Sequence, residues 1–223
     1  MVRRWVREEN KRDIIVETTK KVLDWYDGNK QTAMAVAGIT LVVVVVALLF
    51  IYNINQSNKN VEDRISQLHG LLYSGNYSQA LMLCDDTLKS YSTTNAAKSV
   101  YVYKAIALYN SQQYKEAAVA YREFINRKGQ KVVIPIAMLN EAVATEAQGD
   151  YVKAVELYDN VIKAYPDHYI APSALWNLAR CYMIANRGDE AVKTYERIIT
   201  RYPNTYWKQK AEEKIVMLKT GNK

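Results

Sequence analysis

The sequence predicts an all-α protein with an N-terminal tail, a single transmembrane helix, an α-solenoid of about four helix pairs and a C-terminal capping helix. Three observations support this prediction. One long segment is free of charge, and Gly and Pro number only 8 and 4 among 223 residues, too few for many tight turns. Four alanines recur at a fixed interval of 37 residues, at Ala80, Ala117, Ala154 and Ala191. A fixed period of this length indicates stacked repeats rather than one closed core.

The chain begins with residues 1–31, which we interpret as a cytoplasmic tail containing an amphipathic helix. Ile15, Thr19, Val22 and Tyr26 share one helical face, with Leu23 beside them. This pattern fits a helix that binds a membrane surface or a partner, and it equally fits a solvated tail. Both interpretations remain open at this stage.

Residues 32–52 are predicted to span a membrane. No charged residue occurs between Gln31 and Asn58, and Trp25, Tyr26 and Tyr52 flank the apolar run as interfacial aromatics would. At about 1.5 Å per residue, a helix of this length matches the hydrocarbon thickness. A cleaved signal peptide is disfavoured because the run is long and starts well inside the chain. Residues 53–60 are interpreted as a linker.

The charges beside the span favour a cytoplasmic N-terminus. Lys20, Lys21 and Lys30 precede the span, whereas Lys59 and Arg64 follow it. Because positively charged residues are retained on the cytoplasmic side, we predict a single-pass inner (plasma) membrane protein with its repeats in the periplasm or another extracytoplasmic space. The reversed orientation stays open, since long domains translocate regardless of charge.

Residues 61–220 resemble tetratricopeptide repeats (TPRs), in which small residues let two helices cross closely. The small or apolar crossing position of each first helix is filled by Leu68, Ala105, Ala142 and Ala179. The helix-ending pair Tyr-Pro occurs at residues 165–166 and again at 202–203. Residues 67, 104 and 141 depart from the pattern because they are polar where an apolar residue is usual. The last helix, after Pro203, is predicted to cap the array.

The resemblance to TPRs implies that the first helix of each pair lines a concave face. We call the eight residues predicted to form a partner-binding site there the predicted groove: Val102, Ile106, Tyr109, Leu139, Val143, Trp176, Arg180 and Met183. Since this set is mainly apolar, it predicts a helix or an extended hydrophobic segment as ligand. The alternative is that the capping helix, a second copy or tight packing fills this face.

Composition and motifs give no indication of an enzyme or a nucleic-acid-binding protein. The net charge of +7 is spread over helix faces rather than gathered in a stripe with aromatics. His69 and His168 lie far apart in different repeats, so we predict no catalytic, metal or cofactor site. Cys84 and Cys181 are predicted to be buried free thiols.

The order of tail, span and TPRs resembles the bitopic ancillary subunit of the bacterial Sec translocon. Residues 20–30, which lead into the span, are similar to the membrane entry of that family. The Tyr-Pro repeats also resemble TPR proteins of the Tol–Pal system and of barrel assembly. These resemblances imply an envelope scaffold whose partners are the translocon, periplasmic chaperones or assembly machinery. A cytosol-facing TPR receptor and a structural subunit of a larger membrane assembly, including a homo-oligomer, are the alternatives.

Overall fold

The structure is a computed structural model that describes residues 16–220, and every regular element in that range is an α-helix. The chain divides after Asn55 into two compact units. The part of the predicted tail before residue 16 lies outside the described residues. The absence of strands in residues 16–220 confirms the all-α prediction.

The first unit contains helix α1, residues 16–28, and the start of helix α2, Lys30–Tyr73. Residues 34–52 of α2 are exposed throughout, and an 18-residue window reaches a mean hydropathy of 3.0 with none of it buried. By length and composition this helix is able to cross a membrane. Residues 53–60, interpreted above as a linker, lie within α2.

The second unit contains four helix pairs and a final helix. The last part of α2 pairs with α3 (Tyr77–Ser90), and the remaining helices are α4 (Ala97–Asn110) with α5 (Tyr114–Asn126), α6 (Ile134–Ala147) with α7 (Tyr151–Ala164), α8 (Ala171–Ile184) with α9 (Gly188–Arg201), and α10 (Tyr206–Thr220). From α3 to α10, each helix packs mainly against its neighbours in sequence, as in a solenoid, and the end of α2 shares a core with α3 and α4. The prediction of four pairs and a cap is therefore confirmed.

The alanines of the 37-residue period lie where the helices of each pair cross. Ala80, Ala117, Ala154 and Ala191 are all completely buried. The crossing positions on the first helices, listed above, are also completely buried. Small side chains on both helices let the backbones approach closely, which leaves room for large rings such as Tyr158 in the same core.

The turn inside each pair repeats with the same period. Gly75, Gln112, Gly149 and Asn186 all have positive φ angles, between 57° and 91°. The following N–H in each case donates to a carbonyl five residues back, for example Gln113 N to Leu108 O at 2.9 Å. This is the left-handed helix end that glycine adopts without strain, so Gln112 holds an unfavourable conformation.

Lys104 and Glu141, which are polar where the repeat pattern is usually apolar, form equivalent ion pairs in which the positions of the two charges are exchanged. Lys104 Nζ on α4 lies 2.6 Å from Asp85 Oδ1 on α3. One repeat later, Arg122 Nε on α5 donates to Glu141 Oε1 on α6 at 2.7 Å. Because each pair joins a first helix to the second helix before it, these residues fasten neighbouring repeats in place of the usual apolar contact.

Candidate functional site

The predicted groove residues come from α4, α6 and α8, and all except the exposed Arg180 are half-buried. Val102, Ile106 and Tyr109 pack against the core formed by α4, α5 and α6. Leu139, Val143, Trp176 and Met183 pack against the core that continues to α10. Each side chain thus has one side against a core and another toward solvent. One continuous groove formed by both sets stays a prediction.

Arg180, the cation of the predicted groove, is held by a buried carboxylate. Its Nε donates to Glu146 Oε1 and its Nη2 to Glu146 Oε2, both at 2.7 Å. The hydroxyl of Tyr158 donates to the same Oε2 at 2.6 Å. Burial, and then the Glu146 carboxylate, raise the pKa of Tyr158, so this phenol remains a donor.

This network joins α6, α7 and α8. Glu146 is the acceptor for both donors, and its hydrogen bond raises the pKa of Arg180 further above its ordinary value. The Arg180 guanidinium already donates two hydrogen bonds to Glu146. It is therefore poorly placed to bind the C-terminal carboxylate of a peptide. Sequence reasoning missed the pairing because Glu146 and Arg180 lie 34 residues apart, on the first helices of different repeats.

Trp176, predicted to anchor a partner, contacts the capping helix. Its ring centroid lies 6.1 Å from that of Trp207 and 5.1 Å from that of Tyr195. Lys210 Nζ lies 4.9 Å from the Trp176 centroid, within cation–π range. Helix α10 therefore contacts Trp176 through both Trp207 and Lys210. The Tyr206-Trp207 dipeptide was the sequence signal for this contact.

Tyr109, on the first helix of repeat two, is placed differently. Its ring meets that of Tyr114 edge to face, with centroids 5.2 Å apart. Val102 and Ile106 precede it at helical spacing on the same side of α4. The aromatic and cation–π contacts of α10 instead involve Trp176 and the rings of α10 itself.

A separate cleft of about 530 Å³ opens among α3, α4 and α5, and no predicted groove residue lines it. Its apolar lining comes from both second helices and from the first helix between them. The main lining residues are Leu81, Tyr101, Leu108, Val119 and Ala120. Sequence reasoning did not single it out because the cleft forms only where α3, α4 and α5 come together.

The described residues offer little for chemistry. Among residues 16–220, no group of three or more His, Cys, Asp and Glu side chains is placed to hold a metal ion. Burial raises the thiol pKa of Cys84 and of Cys181 to about 12, so neither forms much thiolate at neutral pH. Both are free and buried, which confirms the prediction made for them.

Comparison with known families decides what the repeats are. Residues 104–169 and residues 146–212 each match a family model described as tetratricopeptide repeat. Residues 104–212 of the solenoid therefore carry tetratricopeptide repeats. A search of curated proteins finds no match.

Solved TPR structures share this fold. One is a crystal structure of Podosopora anserina TPR-like repeats, described as those of a kinesin light chain, with a TM-score of 0.61 and 16% identity over 74% of this chain and 88% of that one. A single-substitution variant of the same protein gives a TM-score of 0.61 and 17% identity over 74% and 87%. At such low identity these structures support the fold alone.

TPR arrays are generally non-enzymatic scaffolds that hold other proteins. The repeats accordingly indicate a scaffold for protein–protein interaction. The extended surface of stacked first helices, rather than a closed pocket, is the usual place for a partner in such arrays.

Proposed function

We propose that this protein is a membrane-anchored scaffold of the cell envelope whose TPRs bind an apolar segment of a partner protein along the first helices. The observation that carries the proposal is the set of half-buried apolar side chains on α4, α6 and α8. Arg180, the one cation among the predicted groove residues, is neutralised by Glu146. Val102, Ile106 and Val143 supply apolar area that a partner helix or extended strand would remove from water.

The anchor in this proposal is the apolar part of α2. Residues 32–52 contact the lipid bilayer, the N-terminus is cytoplasmic and the TPRs are extracytoplasmic. The support is the exposure of every side chain from 34 to 52, together with the excess of Lys before the span. An apolar helix left fully exposed in water would be costly, whereas a bilayer accommodates it.

The partner is proposed from the resemblance described for the sequence. An inner-membrane protein with tail inside and TPRs in the periplasm suits a link between the Sec translocon and periplasmic chaperones or envelope assembly machinery. A TPR receptor of reversed topology and a structural subunit of a larger assembly are the two competing functions. The orientation of the protein in the membrane distinguishes the receptor of reversed topology from the proposal.

Membrane insertion and orientation are tested with three variants that each add one cysteine to the two native ones, Lys20→Cys, Val42→Cys and Val132→Cys. Val132 is 73% exposed and lies outside the helices, so a cysteine there should react freely. In intact cells, a membrane-impermeant maleimide should label position 132 and spare position 20, which becomes reactive only after lysis. Position 42 should stay unreactive in both, because it lies in hydrocarbon.

The native thiols give a low background in this experiment because both are buried and poorly ionised. Labelling of position 20 but not 132 in intact cells would replace the proposal with the cytosolic receptor. Labelling of position 42 in every condition would remove the membrane anchor altogether.

A further inference from the structure

Helix α1, residues 16–28, separates its charged side chains from its apolar ones. At about 100° per residue, its charged residues fall within an arc of about 120° that contains no apolar side chain. These charged residues are Glu17, Lys20, Lys21, Asp24 and Asp27. The apolar and aromatic residues occupy the opposite arc and are Val16, Val22, Leu23, Trp25 and Tyr26. Such separation is typical of a helix that lies between water and an apolar phase.

The apolar arc of α1 is not covered by any part of the chain that the structure describes. Val22, Leu23, Trp25 and Tyr26 each leave between 45% and 58% of their surface exposed. Four adjacent large apolar side chains on one face form a patch of the kind that marks an interaction surface. The charged arc, in contrast, is partly satisfied within the helix, since Lys21 Nζ lies 2.8 Å from Glu17 Oε1.

The position of α1 in the chain restricts what can cover this patch. Only Asn29 separates α1 from α2, and its amide side chain donates to Trp25 O at 3.0 Å. Its carbonyl accepts from Ala33 N at 2.9 Å, so the connection is short and hydrogen-bonded on both sides. With residues 32–52 in the bilayer, Trp25 lies within seven residues of the hydrocarbon edge, or about 10 Å along a helix. Since the headgroup layer is about 5–7 Å thick on each side, α1 ends at or next to this layer.

We propose that α1 is an interfacial helix that lies in the cytoplasmic headgroup layer, with its apolar arc in lipid and its charged arc toward water. This inference rests on the membrane anchor of the proposed function. Trp25 and Tyr26 are the side chains best suited to this layer, because each combines a ring with a polar atom that can reach water. The occupant of the patch is therefore the lipid surface itself.

The charges of α1 specify what drives the binding. Two lysines face three acidic residues on its polar arc, so the described helix offers anionic lipids no excess of positive charge. Burial of the apolar arc is then the main source of binding energy. The helix should accordingly lie on vesicles of zwitterionic phosphatidylcholine as well as on anionic ones, with little dependence on salt.

The test uses the full chain reconstituted in phosphatidylcholine vesicles, with a nitroxide at one position at a time. Positions 22 and 26 sample the apolar arc, and positions 20 and 24 are their matched controls on the charged arc. The probes are molecular oxygen, which concentrates in lipid, and a water-soluble nickel chelate. We expect oxygen to relax the labels at 22 and 26 several-fold more than the chelate, and the opposite at 20 and 24. Labels at 42 and 132 serve as lipid and water references.

Every other outcome is distinguishable. If all four α1 labels behave like position 132 while position 42 reports lipid, α1 is a solvated tail and this inference fails, but the anchor stands. If position 42 itself reports water, the anchor of the proposed function fails first. If 22 and 26 are shielded from the chelate in native membranes but not in pure lipid vesicles, a protein covers the patch and the lipid assignment is wrong.

Discussion

Replacing Gly129 with alanine is expected to destabilise the TPR domain by about 1–3 kcal/mol, the usual cost of overpacking a core. Gly129 follows α5, and a Cβ built on it would lie 2.0 Å from a ring carbon of Phe124. The Phe124 side chain is only 1% exposed and packs within the core of α4, α5 and α6, so its ring has little room to move away. The backbone turn must shift instead, which loosens the connection between repeats two and three.

The matched control is Gly188→Ala. Gly188 begins α9, and a Cβ there would meet no atom within 4 Å. Since alanine also favours helix over glycine by up to about 1 kcal/mol, this variant should be neutral or slightly stabilising. Both are measured by denaturant unfolding of the detergent-solubilised full chain, followed by circular dichroism. Similar losses of stability in the two variants would show that the Phe124 contact is not the cause.

Glu146→Ala is expected to be the second costly change, at about 2–3 kcal/mol. Removing one partner of a buried ion pair typically costs about 3–5 kcal/mol, and we expect less here because Arg180 is half exposed and can be rehydrated. The larger part of the loss comes from Tyr158, whose completely buried hydroxyl would lose its acceptor. Unfolding of the full chain in denaturant measures the change.

Two further variants isolate the cause of the Glu146 effect. Glu156→Ala breaks the surface pair of Glu156 with Lys153 and should cost no more than about 1 kcal/mol. Tyr158→Phe combined with Glu146→Ala should be less destabilising than the sum of the two single variants, because both changes remove the same hydrogen bond. Additive losses would mean that the two side chains act independently.

The repeat period was sufficient to predict the helix pairs because the buried alanines fix where helices cross. Ala154 marks such a crossing and is completely buried, whereas Ala164 at the end of the same helix is exposed. The turns were harder to predict, since Gln112 occupies a left-handed position that glycine fills at residues 75 and 149. There, hydrogen bonding of the whole helix end outweighs the preference of one side chain.

The predicted groove stays a prediction from helical spacing, and the contacts made by two of its residues could not be predicted in this way. Helical spacing alone places Val102, Ile106 and Tyr109 together, and the structure keeps them half-buried. Spacing does not show that Glu146 holds Arg180 or that Lys210 lies over Trp176, because these contacts join different repeats. These two contacts have no equivalent in the other repeats, so the repeat period gives no sign of them.

The central claim is that the first helices of the TPRs hold an apolar segment of a partner protein. It is tested most directly by site-specific photo-crosslinking in native membranes, with the photoreactive residue at position 106 or 143 on the first helices, or at 119 on the second helix of repeat two. Val119 is 50% exposed and lies outside the predicted groove, so it is the matched control.

We predict that positions 106 and 143 give the same protein adduct, mapped by mass spectrometry to an apolar stretch of the partner. Position 119 should not give it, and Val102→Asp should abolish the adduct while the TPR domain keeps its melting transition. An adduct formed from position 119 but from neither 106 nor 143 would contradict the claim and move partner binding to the cleft among α3, α4 and α5.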